Sequence, residues 1–392
     1  MRPRANVVPR KVWMRENRQM RSLRALLLGA AGTVALATAA HADVTVAVAG
    51  PVTGQYAVFG EQMKRGAELA VKDLNAKGGL NGQKLQLRVG DDACDPKQAV
   101  AVANQLVNQG VVFVDGHFCS SSSIPASQVY NEEGVLQISP ASTNPKLTEQ
   151  GFKNVFRTCG RDDVQGTFAA DYVVDHKLGD KVAIVQDQSQ YGKGLADEFK
   201  KELNKRGAKE MTYEAVSQGD KDFSALITKI KGMGAKLIYY GGYHTEAGLL
   251  VRQARGQGLA ATLMSGSALV DRQFWAITGP TGEGTLITFA PDARKRPAAA
   301  EVVREFEAQG YEPEGFTLYT YAAVQAFAEA ARRAGSTKLE DLERALHGGT
   351  YDTVLGPLTF DDKGDVKDFR YCVYKWHNGR YDEFYCPPPT GG

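Results

Sequence analysis

The sequence predicts an α/β protein of two lobes, each a parallel sheet covered by helices, joined by a hinge of several chain segments. Three observations predict it. From residue 44 onward, short β-branched runs alternate with stretches of helical spacing, and repeated βα units of that kind imply parallel strands with crossover helices. The alternation pauses at Cys159-Gly160-Arg161-Asp162-Asp163 and resumes near Val164, so it reads as two lobes rather than one sheet. The C-terminal part then mixes helices with closing strand signals, which leaves chain to revisit both lobes.

Taken in order, Val44–Gly50 is a β-branched run suited to a buried parallel strand. Glu61–Lys77 follows as a helix, with Met63, Ala67, Ala70, Val71 and Leu74 on one face and Gly78-Gly79 to stop it. Lys84–Gly90 is a strand, Pro96–Asn108 a helix with proline at its start, and Val111–Asp115 a strand. Ser120–Glu133 is a helix that opens in serines, and Val135–Ser139 a strand.

The second run gives a helix at Gln165–His176, a strand at Val182–Gln186 and a helix at Gly192–Arg206. Met211–Val216 and Leu237–Tyr240 are strands, each followed by a helix, at Phe223–Met233 and Glu246–Gly256. Thr285–Phe289 is a strand, and Ala298–Gln309, Tyr319–Ala334 and Leu339–Leu346 are helices. Thr359–Phe360, Arg370–Trp376 and Arg380–Tyr385 are closing strands, the last two joined by a turn at Asn378-Gly379. The chain is expected to cross to the first lobe near residues 288–292 and to return near 370. The division is then 43–161 plus 291–370 for one lobe and 162–290 plus 371–392 for the other. Several crossings make a hinge, as in a clamshell that closes on a ligand.

Residues 1–42 stand apart. They carry eight basic residues against one acid, then an uncharged run from Ala25 to Ala40, then Ala40-His41-Ala42. A basic start, a short apolar core and a small-x-small site describe a secretory signal peptide. The apolar run is shorter and richer in alanine and glycine than a spanning helix, which needs about 20 mostly apolar residues. Met20, followed by Arg21 and Arg24, is a more ordinary start for such a leader. Without residues 1–42 the chain has 39 basic and 44 acidic residues, so its net charge moves from +2 to −5. The basic character therefore belongs to the leader, and no basic patch for nucleic acid remains. No other stretch is apolar enough to cross a bilayer, and the expectation is a soluble, exported, monomeric protein.

An exported chain can hold disulfides. Cys94 and Cys119 end successive strand-like runs and could meet across neighbouring loops, while Cys372 and Cys386 flank the Asn378-Gly379 turn almost symmetrically. Cys159 is left as a buried thiol. With no C-x-x-C and no histidine cluster, neither a metal site nor a cofactor is expected, and no cysteine near the cleavage point invites a lipid anchor.

The segment Gly116-His117-Phe118-Cys119-Ser120-Ser121-Ser122-Ser123 ends a strand and opens a helix. Open α/β sheets bind ligands at that end. A helix N-terminus offers unpaired N–H groups and a positive dipole end, a seat for a carboxylate. Four serines exceed what capping requires, so anion binding is the preferred reading. Ser139-Pro140-Ala141-Ser142-Thr143-Asn144 holds the corresponding place after the next strand and can supply further donors and carbonyl acceptors, though an ordinary loop reads equally well. Tyr56, Phe59, Tyr191 and Tyr243 fall in other strand-to-helix loops, where they can line an apolar pocket. No phosphate-binding loop, G-x-S-x-G or nucleophile–base pair is visible, so no enzyme is expected.

Several strings together resemble the leucine/isoleucine/valine-binding proteins of ATP-driven amino-acid importers. They are DDACDPKQAVAVANQLV (Asp91–Val107), GHFCSSSSIPASQVY (Gly116–Tyr130), ISPASTNPKLT (Ile138–Thr148), GDKDFSALITKIK (Gly219–Lys231), YYGGYHTEAGLLVRQAR (Tyr239–Arg255) and GPLTFDDKGD (Gly356–Asp365). The resemblance implies two Rossmann-like lobes on a three-segment hinge, the type I periplasmic binding protein fold. It implies that Ser120 and Thr143 hold a ligand α-carboxylate and that the Ala141 carbonyl and Thr143 hydroxyl accept from its ammonium. It makes Phe59, Tyr191 and Tyr243 the wall around the ligand side chain, and Cys94–Cys119 the family disulfide. The implied partners are a branched-chain amino acid and an ABC permease in the inner membrane.

One residue departs from the family. Where the family carries an acid against the ligand ammonium, this chain has Ser267. A buried cation without a counter-charge is costly, so either another acid serves, with Asp162 and Glu246 the candidates, or the ligand is a carboxylate without an ammonium group, such as an aromatic acid. A ligand-sensing regulatory protein and a periplasmic amidase are the readings from other classes.

Overall fold

The computed structural model describes residues 43–388; the expected leader, residues 1–42, lies outside them. The first run of elements is β1 (Val44–Gly50), α1 (Ala57–Ala76), β2 (Leu85–Asp91), α2 (Pro96–Asn108), β3 (Phe113–Gly116), α3 (Ser120–Glu132), β4 (Leu136–Ser139), α4 (Lys146–Glu149) and β5 (Val155–Arg157). The second is α5 (Asp162–Asp175), β6 (Val182–Gln186), α6 (Gln190–Lys205), β7 (Thr212–Ala215), α7 (Ser224–Met233), β8 (Leu237–Gly241), α8 (His244–Gly256), β9 (Thr262–Ser265), α9 (Arg272–Thr278) and β10 (Leu286–Phe289). There follow α10 (Ala300–Ala308), α11 (Thr317–Ala334), α12 (Leu339–Gly348), β11 (Thr350–Thr353), β12 (Gly356–Thr359), β13 (Cys372–His377) and β14 (Arg380–Tyr385).

The strands make two large sheets. One has the order β2-β1-β3-β4-β5, all parallel. The other runs β14-β13-β10-β9-β8-β6-β7, parallel from β10 to β7, with β13 and β14 antiparallel on one edge. After β10 the chain leaves the second sheet, and α11 packs on α1 of the first. It then returns as β13, whose Cys372–Lys375 pairs with β10. The hairpin turns at Asn378 and Gly379, both with positive φ (50° and 80°), the conformation that Asn-Gly adopts most readily.

The first sheet is buried on both faces. Phe113 stacks on Phe327 of α11 at 4.4 Å, while Ala47, Ala49 and Val114 pack with Ala99, Val102 and Ala126 of α2 and α3. Gly116 fits because a Cβ there would lie 2.2 Å from the Ala49 carbonyl oxygen. Two disulfides join Cys94 to Cys119 and Cys372 to Cys386, and Cys159 is a buried free thiol. No helix among the described residues is long and apolar enough to cross a membrane.

The structure corrects the sequence reading in several places. Helix α1 begins at Ala57, not Glu61, because the chain turns at Gly54 (φ 87°) and packs Gly60 against the Pro51 backbone, where a Cβ would stand 2.2 Å away. Strands β5, β9 and β11 have three or four residues each, too short for a periodic signal. Of the predicted strand Thr359–Phe360, Thr359 ends β12, which pairs with β11 in a small sheet of its own and closes neither large one, and Phe360 bridges to Val366. Arg370 and Tyr371 precede β13.

Candidate functional site

The carboxyl ends of β3 and β4 carry the polar side of a narrow cleft. Cys119, tied to Cys94, is the N-cap residue of α3, so the disulfide anchors that helix start. The four serines divide the work. Ser120 faces the cleft and accepts from the Asn144 amide at 3.3 Å. Ser121 accepts from the Gln190 amide of α6 at 3.2 Å. Ser122 is buried, and Ser123 turns inward to Ser142 at 2.6 Å.

The two loops are knotted at one atom. The His117 carbonyl accepts from Ser123 at 3.0 Å, Ser139 at 2.7 Å and Ser142 at 3.3 Å. The His117 ring is fixed between Asp92 (2.5 Å) and the Tyr130 hydroxyl (2.9 Å). From below, the fully buried Arg157 donates to the Ser142 carbonyl at 2.7 Å and the Asn144 carbonyl at 3.2 Å, and pairs with Asp365 at 2.6 Å. The segment bearing Ala141 and Thr143 is thus held by groups that cannot relax without leaving buried polar atoms unmatched.

The second sheet supplies the opposite wall. Ser189 caps α6 by accepting from the Gly192 amide, which turns Tyr191 inward. Tyr243 is the N-cap residue of α8, and its ring lies 5.2 Å from that of Tyr191. The cleft is lined by Phe118, Ser120, Ala141, Tyr191, Tyr243, Ser267, Ala268 and Phe316. Five of the seven residues expected from the sequence therefore meet there. Thr143 sits just outside the lining, with its carbonyl accepting from the Asp162 amide at 2.8 Å. Phe59 does not face the cleft either; it stacks behind Phe118 at 4.4 Å and against His244 at 5.1 Å. Burial holds the His244 pKa down to about 4, so this ring is neutral.

Phe118, Ala268 and Phe316 were not anticipated. Phe118 lies inside the serine string that drew attention, and Ala268 follows Ser267 directly. Phe316 comes from the far start of α11, where nothing local marks it, and meets Phe118 edge-on at 5.1 Å.

Residues 43–380 match the sequence profile of the periplasmic binding protein family. The chain belongs to that family. This periplasmic binding protein is 52% identical over 350 residues to the Leu/Ile/Val-binding protein homolog 1 of Brucella melitensis, covering 89% of the one chain and 94% of the other. Its fold matches a leucine-binding protein of Thermotoga maritima with a TM-score of 0.82 at 27% identity, over 88% of this chain and 99% of that one. It also matches a branched-chain amino-acid substrate-binding protein of Streptococcus pneumoniae, solved with isoleucine, with a TM-score of 0.81 at 26% identity, over 88% and 100%. The fold is that of type I periplasmic binding proteins, a class of ligand carriers.

Within this periplasmic binding protein, Ser267 stands beside the Tyr191 hydroxyl, which accepts from the Ala268 amide at 3.4 Å. Of the two carboxylates that act on Tyr191, Asp162 acts more strongly than Asp187; it lies in the first turn of α5 and is fully buried. Its carboxylate acts on Tyr191 electrostatically, and the Thr143 hydroxyl stands beside it without completing a hydrogen bond. Burial pushes the Asp162 pKa up to about 7, against the opposing pull of Thr143 and Arg157. Glu246 lies elsewhere, buried and off the cleft lining: it accepts from the Gly219 amide at 2.7 Å and from the Tyr56 hydroxyl at 3.4 Å, and burial raises its pKa too.

Proposed function

We propose that this protein is the receptor of an ABC importer for branched-chain amino acids, exported by its leader, acting as a monomer and catalysing nothing. One observation carries the reading. A helix start and a hydroxyl-rich loop, both rigidly held, face an apolar aromatic wall that comes from a different sheet. Such a cleft suits a small molecule with a carboxylate at one end and a hydrocarbon side chain at the other. The names of the relatives, and the isoleucine held by the Streptococcus protein, support the same ligand class.

Ser120 and the amides at the α3 start receive the carboxylate. The Ala141 carbonyl and Thr143 hydroxyl accept from the ammonium, and Asp162 supplies the counter-charge that Ser267 does not. Tyr191, Tyr243, Phe118 and Phe316 enclose the side chain, with Phe59 bracing Phe118. The lobes are 43–161 plus 291–370 and 162–290 plus 371–392, and they close over the ligand.

The second reading, a carboxylate without an ammonium, rests on Ser267. Calorimetry on the wild type and Ser267→Asp, with leucine and with benzoate, separates the two. For an amino acid, the new acid tightens binding by about 1–2 kcal/mol, because a charge-assisted contact replaces a neutral one. For benzoate, it sets a second negative charge beside the first and abolishes binding. Benzoate binding by the wild type without leucine binding overturns the amino-acid reading.

A further inference from the structure

Tyr56 belongs to the loop between β1 and α1, on the side of the first sheet, yet its surroundings come from the second. Its ring lies 4.5 Å from that of Tyr243, tilted by 35°, and 6.2 Å from His244 edge-on. Its hydroxyl accepts from Gln218 at 3.1 Å and donates to Glu246 at 3.4 Å. Gln218 precedes α7, while Glu246 is in the first turn of α8 and is fixed by the Gly219 amide at 2.7 Å. Only 3% of Tyr56 is exposed, so a side chain from one loop is fully seated between two segments of the opposite wall, the loop before α7 and the start of α8.

We propose that Tyr56 is the latch of the closed cleft: a positioning residue that plugs into the socket formed by Tyr243, Glu246 and Gln218 and thereby holds Tyr243 as cleft wall. This rests on the reading of two closing lobes. The chemistry fits a latch better than a permanent brace. Every socket partner is linked to the second sheet and the plug to the first, so lobe opening breaks all of these contacts at once. Once withdrawn, Tyr56, Gln218 and Glu246 each have a polar end that water can serve. The latch therefore adds to the closed state and leaves the open one unchanged. It slows ligand escape without touching ligand capture.

Stopped-flow binding of leucine to the wild type, Tyr56→Phe, Glu246→Gln and the double variant tests this, with thermal unfolding of each protein free of ligand. Tyr56→Phe keeps the ring and loses the hydroxyl. It is expected to raise the dissociation rate roughly tenfold, the factor that corresponds to one hydrogen bond to a charged group, with the association rate within about twofold of wild type. The double variant should dissociate no faster than the faster single one, because both remove one contact. The ligand-free melting temperature should not move. An unchanged dissociation rate, additive effects, or a ligand-free melting point that falls in step with affinity overturns the latch. If wild type binds leucine and contracts in solution scattering while Tyr56→Phe behaves like it, the latch alone fails. If the wild type binds but does not contract, the two-lobe reading fails and takes the latch with it.

Discussion

The two sides of the cleft are built on different principles. On the side of the first sheet, each loop is tied down from behind: the Cys94–Cys119 disulfide, the His117 carbonyl with three serines, and Arg157 beneath Ser142 and Asn144. On the side of the second sheet the groups are large tyrosines, close to the buried carboxylates of Asp187 and Glu246, neither of which has a salt-bridge partner among the described residues. Burial raises both, Asp187 to about 6. One side is tied down by its own hydrogen bonds and disulfide; in the proposed reading the other is completed by contact with the ligand. A preformed polar seat lowers the ordering cost of binding, whereas an apolar wall gains its energy when it closes.

Breaking the tied-down side should have the largest effect. Arg157→Met removes a buried cation from Asp365 and strips the Ser142 and Asn144 carbonyls of their donor. A loss of about 3 kcal/mol in stability is expected, at the low end for halving a buried pair because Arg161 still reaches Asp365 at 2.7 Å, together with weakened leucine binding. Denaturant titration and calorimetry check the two parts.

The next test falls where the two sides meet, at Asp162. With the cleft closed, burial pushes the Asp162 pKa up to about 7, against an ordinary value of 3.8. The unfolded chain is thus ionised while the folded one is still protonated, so this group erodes stability as pH rises between those values. An ammonium ligand reverses the preference and favours the carboxylate. Leucine affinity should therefore rise with pH toward 7 and level off above it, with proton release measurable in buffers of different ionisation enthalpy. The slope is at most tenfold per pH unit, about 1.4 kcal/mol. Asp162→Asn should flatten it, leaving only what Asp187 and Glu246 contribute. A slope of the opposite sign would mean that the ligand lacks an ammonium.

The smallest effect sharpens the comparison by exposing a flaw on the tied-down side. Asp115, at the end of β3, is wholly buried and neither carboxylate oxygen has a hydrogen-bond partner, so desolvation holds its pKa far above the usual range. Asp115→Leu is expected to raise the melting temperature, with a gain of roughly 1–3 kcal/mol for removing an unsatisfied buried group. The gain should shrink toward acid pH, where the unfolded chain also keeps its proton, and leucine affinity should stay unchanged.

Much of this architecture was readable before any coordinates. Alternation located every long helix, Asn378-Gly379 located the hairpin, and the serine string after β3 pointed to the polar seat, because each of these signals is local. Residues whose role depends on distant chain were harder to read. Phe316 joins the cleft from the start of α11, and Tyr56 finds its partners at positions 218, 243 and 246. Asp162 could be named from the sequence only as one of two candidate acids, with Glu246, to stand in at Ser267. Its burial against Thr143 and Tyr191 is a product of the packing of α5 on the first sheet's loops, and no periodicity encodes that.

The chain's excursion between the two sheets also governs how the molecule can form. The second sheet receives β13 and β14 only after α10, α11 and α12 have been made, and α11 must find α1 across 248 residues, the separation of the Tyr321–Asp73 hydrogen bond. Neither half has all its partners until α11 and the β13–β14 hairpin have been made. Topologies ruled by such remote pairings fold slowly. A chain of this kind stays pliable until those late segments join the earlier ones.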